Sequence, residues 1–251
     1  MSAVCGQRLI ITRGQASVYI AQFSANIESP RATVYVALMN QRQFSFLDHL
    51  LAHVDNGVRT LFGENHATRP NPADSLKENE LNATEKQLAG RLMRINHAGE
   101  VAAQGLYQGQ ALTAKLADVR EQMEEAAQEE VDHLAWCKIR TEELGTHTSL
   151  LDPVWYMGSV TIGAIAGLAG DKWSLGFVTE TERQVVKHLE SHLDQLPQHD
   201  EKSRAILEQM KIDEQHHATT ALEAGAAELP TPIKKAMTLT SKIMTKAAYW
   251  L

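Results

Sequence analysis

Apolar side chains recur at steps of three and four residues along most of the chain after residue 45, which is the period of an amphipathic α-helix. The first periodic stretch runs from Phe46 to near Gly63, and a loop rich in Pro, Asn and charged residues follows it. The pattern predicts an all-α fold. Beyond the first helix it predicts helices at about 84–114, 118–145, 171–193, 200–225 and 233–248, with a charge-free apolar segment at 153–170.

Two helix starts carry capping signals. Thr84 with Gln87 has the spacing of a capping box and opens the helix at about 84–114. Asp118 with Glu121 opens the next helix. Because the loop between these two helices is short, we expect them to be antiparallel neighbours.

A glutamate and a histidine three residues apart occur twice, as Glu130 with His133 and as Glu214 with His217. On a helix each pair faces one direction and can aim a carboxylate and an imidazole at one point. Both pairs fall inside apolar stripes, where an uncompensated carboxylate costs several kcal/mol. The alternative is a surface pair on a charged helix. The opposite faces already carry the charged residues, which are Glu124, Glu125, Asp132, Lys138, Arg204 and Lys211.

Each pair is preceded by a lone glutamate one helix earlier. Glu100 lies 30 residues before Glu130, and Glu182 lies 32 residues before Glu214. Di-metal carboxylate four-helix bundles use this ligand set, with one glutamate from each of two helices and Glu-x-x-His from each of the other two. The sequence therefore predicts a ferritin-like four-helix bundle with accessory amphipathic helices. The predicted metal ligands are Glu100, Glu130, His133, Glu182, Glu214 and His217.

The ligand types favour a particular metal. Four carboxylates and two imidazoles, with no thiolate, suit iron or manganese better than copper or structural zinc. Four negative charges would balance two divalent irons, for which oxidation by O2 is the natural chemistry. Asp213 and Glu129 each precede a ligand glutamate and are candidates to accept the free imidazole N–H. Tyr107, two turns from Glu100, is expected to be a packing residue.

Composition narrows the class of protein. The chain has 251 residues, and its hydrophobic content of 43% is ample for a core. A net charge of −7 argues against nucleic acid as a partner. Cys5 and Cys137 are far apart and fit neither a disulfide framework nor a four-cysteine metal site. A reducing, cytoplasmic setting follows as the default.

Residues 153–170 carry no charge and are marginal for a membrane span, which needs about 20 apolar residues. Four interpretations remain open: a buried core helix, a membrane-dipping segment, the wall of an apolar tunnel, and a true span. The span is the least favoured, because the segment leads directly into the helix of Glu182. The first and last amphipathic helices either cover the bundle or lie flat on a membrane.

The domain prediction divides the chain into an N-terminal extension, residues 1–40, and a di-metal bundle, residues 41–251. The extension has three arginines against one acid, Glu28, and faintly resembles a transit peptide. It lacks a compact apolar run with a small-residue cleavage site. We interpret it as an unstructured extension that an upstream start codon adds, with the working protein beginning near Met39.

Four segments around the predicted ligands carry a family resemblance. They read RINHAGE at 94–100, EEVDHLAWC at 129–137, DPVWYMGSVTIGAIAGLAGDKWSLGFVTETE at 152–182 and MKIDEQHHA at 210–218. These segments resemble the bacterial form of the demethoxyubiquinone hydroxylase family, the di-iron monooxygenases of ubiquinone biosynthesis. The resemblance begins near Phe44, continues to Leu251, and matches all six predicted ligands in order and spacing. His188 matches a family position near the substrate pocket, but it lies off the ligand stripe and receives no role.

The resemblance implies O2-dependent hydroxylation of a polyprenylated methoxy-methyl-benzoquinol, demethoxyubiquinol, with two iron ions per chain. It implies a peripheral protein on the cytoplasmic side of the inner membrane, with the membrane surface and other ubiquinone-biosynthesis proteins as partners. The electron donor is not identifiable from the sequence. Segment 153–170 leads straight to Glu182 and is the expected lining of a groove for the prenyl tail.

Other classes of protein share the bundle. A ferritin-like iron-storage or ferroxidase protein needs no accessory apolar helix before Glu182. A peroxide-reducing rubrerythrin carries a Cys-x-x-Cys rubredoxin module, which two isolated cysteines exclude. A radical-generating reductase subunit would place a tyrosine close to the irons.

A chain that starts at Met39 is expected to fold and keep its activity, because residues 1–38 show no period that matches the bundle and supply no ligand. The activity and membrane binding of the shortened and full chains should be compared. Loss of either property in the shortened chain would make the extension an anchor or a targeting element.

Overall fold

The computed structural model describes residues 46–78 and 80–251, with side chains for all of these except residues 46–50, 117 and 118. The predicted extension, residues 1–40, lies outside the described residues. The described chain is all-α and contains no strand, as the sequence predicts. Its helices are α1 (Phe46–Phe62), α2 (Ala83–Thr113), α3 (Ala117–Glu143), α4 (Asp152–Ala169), α5 (Asp171–Gln195), α6 (Glu201–Glu223) and α7 (Thr231–Trp250).

Helices α2, α3, α5 and α6 form a four-helix bundle within the compact unit of residues 52–251. The guanidinium of Arg94, early in α2, donates to Thr146, which follows the end of α3. Gln104, later in α2, reaches back to the carbonyl of Ala127 near the start of α3. These two contacts run in opposite directions along the chain, so α2 and α3 are antiparallel, as predicted.

The capping box of α2 lies two residues before the predicted one. The side-chain oxygen of Asn82 accepts from the amides of Thr84 and Glu85, each at 3.0 Å. The carboxylate of Glu85 accepts from the Asn82 amide at 2.9 Å. The prediction of Thr84 with Gln87 is therefore wrong, because asparagine two positions earlier satisfies the same free amides.

The start of α3 also differs from the prediction. The helix begins at Ala117, after Leu116, so Asp118 lies in its first turn rather than at its cap. The apolar side chain of Leu116 cannot accept hydrogen bonds from the free amides at the start of α3. Asp171, at the start of α5, instead accepts from the amides of Lys115 and Leu116, each at 3.0 Å. A carboxylate from another helix thus fixes the α2–α3 turn, which local sequence patterns do not reveal.

Glycines end two of the bundle helices where the sequence predicts. Gly145 after α3 has a φ of 72°, and Gly225 after α6 has a φ of 99°. This left-handed backbone is costly for a side chain with a Cβ, which is why glycine follows so many helix ends. The amide of Ala227 then donates to the carbonyl of Lys172 at 2.8 Å and closes the α5–α6 hairpin.

Two clusters of buried apolar residues fill the bundle. The first draws on the early part of α2, the late part of α3 and α5, and the early part of α6; the second draws on the opposite ends of the same helices. The predicted ligands fall between these segments in all four helices, so the polar site has an apolar layer above and below it. The first cluster includes Leu92, Met93, Trp136, Leu189, Leu193, Ile206, Leu207 and Met210. The second includes Tyr107, Ala111, Val119, Met123, Leu175, Val178 and Ala221.

Helix α4 packs closely on α2 through glycines. A Cβ on Gly109 would lie 2.2 Å from the carbonyl oxygen of Val160, and a Cβ on Gly163 would lie 2.2 Å from that of Leu106. These distances are far inside van der Waals contact, so the two backbones touch directly. On the side that faces α2, the small uncharged residues of α4 allow a tight helix–helix interface.

The other side of α4 is exposed, and its apolar residues there are Val154, Met157, Ile165 and Leu168. The core-helix interpretation of segment 153–170 thus holds for one face only. Within residues 46–78 and 80–251, no helix combines the length and apolar character that crossing a membrane requires.

Helix α1 contacts the bundle along a narrow strip of its surface. Gly57 and Thr60 are buried, and Leu61 is partly buried against a cluster that includes Tyr156 of α4. A Cβ on Gly57 would lie 2.9 Å from the Tyr156 hydroxyl, so the missing side chain permits this contact. Val54 and Phe62, by contrast, are 55% and 75% exposed, so α1 covers the bundle with only part of its apolar face.

Gly163→Ala is expected to lower the free energy of unfolding by about 1–3 kcal/mol, because the new methyl group must push two backbones apart. Gly158→Ala in the same helix is the matched control. A Cβ there has no neighbour within 4 Å, so this change is expected to raise stability by about 0.5–1 kcal/mol through helix propensity. Urea unfolding measures both. Equal effects of the two substitutions would contradict the close α2–α4 contact.

Candidate di-metal site

Four helices bring the six predicted ligands to one level of the bundle. Helix α2 supplies Glu100, α3 supplies Glu130 and His133, α5 supplies Glu182, and α6 supplies Glu214 and His217. All six side chains are buried. Ligand atoms of Glu100, Glu130, His133 and Glu214 lie within 4.8 Å of one another, as a shared metal ion would require.

Glu130 and Glu214 each contact both imidazoles. The Nδ1 atom of His133 lies 3.1 Å from one oxygen of Glu130 and 3.2 Å from one oxygen of Glu214. The Nδ1 atom of His217 lies 3.3 Å from the other oxygen of Glu130 and 3.2 Å from the other oxygen of Glu214. Each carboxylate therefore spans the space between the two histidines, which is the placement of a ligand shared by two metal ions.

The lone glutamates lie beside the same cluster. The carboxylate of Glu100 is 3.7 Å from the Nδ1 atom of His133. Burial and the charges of Glu214 and Glu130 raise the pKa of Glu182, and the charge of His217 lowers it, so Glu182 is close to these three residues. Glu100 thus adjoins the His133 side of the cluster, and Glu182 faces Glu214 and His217.

Crowding of buried carboxylates makes the site favourable for cations. Burial raises the pKa of Glu100 well above its usual value, and the charge of Glu130 raises it further. Burial and the charges of Glu214 and Glu130 raise the pKa of Glu182 in the same way. Protons and metal ions compete for the same oxygen lone pairs. Four carboxylates and two imidazoles in an apolar bundle fit two divalent ions, which would neutralise the carboxylates without protons.

A second carboxylate orients each imidazole from outside the cluster. The Nε2 atom of His133 donates to Asp213 at 2.8 Å, and the Nε2 atom of His217 donates to Glu129 at 2.5 Å. The two contacts cross between helices, since Asp213 lies on α6 and Glu129 on α3. With its proton on Nε2 held by the outer carboxylate, each imidazole directs Nδ1 at the carboxylate cluster, where that nitrogen could ligate a metal ion.

Arg69, in the loop between α1 and α2, holds one of these outer carboxylates. Its guanidinium contacts Asp213 at 2.9 Å and Asp132 at 2.7 Å, and it lies 5.0 Å above the ring of Trp136. Asp132 also accepts from the amide and the hydroxyl of Thr68. The loop is thereby fastened over the His133 side of the site, whereas Glu129, on the His217 side, is half exposed.

Tyr107 touches the site directly. Its hydroxyl donates to Glu182 at 2.6 Å, while its ring belongs to the second apolar cluster. Burial raises the pKa of this hydroxyl well above its usual value, and the charge of Glu182 raises it further, so the group stays protonated. The expectation that Tyr107 only packs is therefore incomplete.

An apolar groove leads from the carboxylates to the surface between α2, α4, α5 and α7; we call it the α7 groove. Its volume is about 320 Å³, and its lining includes Glu100, Glu182 and Glu214 at the site. Helix α7 contributes seven lining residues, whereas the charge-free segment 153–170 contributes only Ser159 and Ile162. The segment is therefore a minor part of the lining, and the last helix, expected to cover the bundle or lie on a membrane, forms the larger part.

Comparison with known proteins identifies the family. The family model described as ubiquinone biosynthesis protein COQ7 matches residues 87–248, which include all six predicted ligands. The chain belongs to the COQ7 family.

Individual members of the COQ7 family match over most of the chain. A 3-demethoxyubiquinol 3-hydroxylase of Nitrosococcus oceani is 58% identical over 214 residues, which are 85% of this chain and the whole of that relative. A protein of the same name from Legionella pneumophila is 58% identical over 212 residues, and one from Ectopseudomonas mendocina is 56% identical over 213 residues. These two alignments cover 84% of this chain and 100% and 99% of the relatives.

In this COQ7-family chain, helical spacing predicted the six ligands, and adjacency to a ligand glutamate predicted Asp213 and Glu129. Neither pattern indicated Arg69 or Asp132 as part of the site. Asp132 was assigned to a solvated face, yet it is buried because the loop carrying Thr68 and Arg69 covers it. No local pattern links a loop residue to a helix more than sixty residues away. Tyr107 did carry a signal, since a residue seven positions after Glu100 lies on the same helix face.

We expect the chain to hold about two irons, the content of di-iron bundles, and Glu182→Ala to remove most of them. The substitution opens a coordination position and unbalances the charge of the cluster. Elemental analysis of purified protein measures the loss. Glu180→Ala is the control, because Glu180 lies on the same helix as Glu182 but pairs with Lys234 of α7, outside the site. A Glu182 variant as rich in iron as the parent would remove Glu182 from the ligand set.

Proposed function

We propose that the protein is an O2-dependent di-iron monooxygenase that hydroxylates a polyprenylated demethoxyubiquinol in ubiquinone biosynthesis. The observation that carries the proposal is the α7 groove, an apolar passage that ends at three carboxylates of a six-residue metal site. The relatives that are 58% identical to this chain are named 3-demethoxyubiquinol 3-hydroxylase, and their name supports the same substrate and reaction.

The six buried residues would hold two irons, and Glu130 and Glu214, which each contact both histidines, would be among the ligands. Glu100 and His133 would complete one position, and Glu182 and His217 the other. Bound iron supplies O2 activation and electron transfer, which protein side chains alone do not provide. Hydroxylation consumes O2, two electrons and two protons, and it yields the hydroxylated quinol and water. The electrons come from a reductant whose identity the chain does not specify.

The protein's own contribution is to place the quinol ring and to exclude water. The side-chain oxygen of Thr181 and the Nε2 atom of His188 are buried and have no hydrogen-bond partner among residues 46–78 and 80–251. Both residues line the α7 groove. Burial lowers the pKa of His188 to about 4, so its imidazole is neutral at pH 7. These two atoms are suited to the oxygen substituents of a quinol ring next to Glu182. His188 thus gains a proposed role that its position off the ligand stripe concealed.

The prenyl tail would extend along the apolar part of the α7 groove toward the surface. Leu106 and Ile162 line one side of it, and Ile233, Met237 and Met244 of α7 line the other. The exposed apolar residues of α4 and α1 would rest on the membrane surface. We propose peripheral attachment on the cytoplasmic side of the inner membrane, where polyprenyl quinols dissolve and other ubiquinone-biosynthesis proteins can deliver them. An iron-storage function does not require such a groove.

Ile162→Lys is expected to weaken binding of the polyprenylated quinol by roughly a hundredfold, because an unpaired charge in the apolar groove costs a few kcal/mol. A short-chain analogue, which buries little tail, should lose much less. Hydroxylation of both substrates by detergent-solubilised protein measures the difference, at equal iron content.

Thr161→Lys is the matched control, because it adds the same charge to the neighbouring exposed position of α4, outside the α7 groove. It is expected to affect both substrates little and alike. Equal loss of the two substrates in iron-replete Ile162→Lys protein would show that the residue acts on the cluster or the fold, and the tail would have to lie elsewhere.

A further inference from the structure

A second cavity reaches the metal site from another side of the bundle; we call it the His217 cavity. Its volume is about 120 Å³, and residues of α2, α3, α5 and α6 line it. It shares no lining residue with the α7 groove. The site therefore has two separate approaches.

The His217 cavity changes from polar to apolar with depth. Its rim carries Glu125, Glu129 and Thr220, which are exposed. Its floor is formed by buried or partly buried apolar side chains of the second apolar cluster. These are Met123, Ala126, Val178 and Ala221, with the ring of Tyr107. The alanines leave space that larger side chains would fill, which accounts for a cavity inside a packed cluster.

The His217 cavity directly adjoins the predicted ligands. His217 lines the cavity, and its Nδ1 atom lies 3.2 Å from Glu214. Tyr107 also lines the cavity, and its hydroxyl lies 2.6 Å from Glu182. A small molecule at the floor is therefore next to the proposed metal position of Glu182 and His217.

The size of the His217 cavity selects small molecules. Pockets for drug-sized ligands measure roughly 300–1,000 Å³, and the α7 groove falls in that range, whereas the His217 cavity does not. A quinol bound in the α7 groove would block that approach with its ring and tail. The second substrate of the proposed reaction, O2, then needs another path to the metals.

We propose that the His217 cavity is the binding and access site for dioxygen, separate from the α7 groove. O2 is small and apolar, so it partitions from water onto an apolar floor. The identity of the gas as O2 rests on the proposed function. The location of the binding site rests on the cavity alone.

Xenon tests the binding site without any turnover, because xenon occupies small apolar cavities in proteins. Crystals of the metal-loaded protein are pressurised with xenon, and its position is read from anomalous scattering. We expect a xenon atom bounded by Met123, Ala126, Val178 and Ala221. Absence of xenon from this cavity would overturn the proposal.

Ala126→Leu tests the access route. The larger side chain is expected to abolish the xenon site and to raise the KM for O2 several-fold, while the KM for the quinol stays unchanged. Ala127→Leu is the matched control, since Ala127 is the next residue of α3 and packs on the same cluster but does not line the cavity. It should keep both the xenon site and the KM for O2. If Ala126→Leu protein loads less iron than the parent, Ala126→Val serves as the milder variant.

The outcomes separate the inference from the proposed function. Loss of xenon in Ala126→Leu protein with an unchanged KM for O2 would show that the gas arrives elsewhere and would overturn the proposal. If the protein binds xenon in this cavity but hydroxylates no quinol, that result would contradict the proposed function instead. A rise in the KM for O2 confined to the Ala126 variants supports the access route.

Discussion

The burial of four carboxylates at one level of a helical bundle is the constraint on which the rest of this structure depends. Glu100, Glu130, Glu182 and Glu214 lie between two apolar clusters, where each unpaired charge costs several kcal/mol. Burial of these carboxylates, and then the repulsion between them, raise the pKa of Glu100 and Glu182 well above the usual value. Two divalent ions would neutralise this charge without protons, so the cluster is suited to hold metal.

The environment of the two histidines differs although the ligand set is symmetric. His133 is held by Asp213, which Arg69 and the loop between α1 and α2 keep in place. His217 is held by Glu129, which is half exposed and borders the His217 cavity. The two histidines therefore meet different surroundings, one covered by a loop and one open to a small cavity. Two ions bound beside them would not be equivalent.

The placement of the accessory helices also explains why the α7 groove and the His217 cavity reach the candidate site separately. Helix α4 packs so closely on α2, through Gly109 and Gly163, that little space remains between them. Helix α7 touches the bundle mainly near its ends, where Lys234 pairs with Glu180 and Arg91 lies 4.5 Å from the Trp250 ring. The space left under its middle is the α7 groove. The His217 cavity lies within the bundle core, where small side chains leave it open.

The sequence by itself determined the helices, their approximate bounds and the six predicted ligands, because helical period and Glu-x-x-His spacing are local properties of the chain. It also brought out Asp213 and Glu129, since each adjoins a ligand, but not which histidine each one serves. Only the tertiary structure decided that these contacts cross between α3 and α6, that Arg69 covers Asp132, and that Val54 and Phe62 of α1 are exposed. Such outcomes depend on which distant segments meet, and a pattern with a range of a few residues carries no information on contacts between residues more than sixty positions apart.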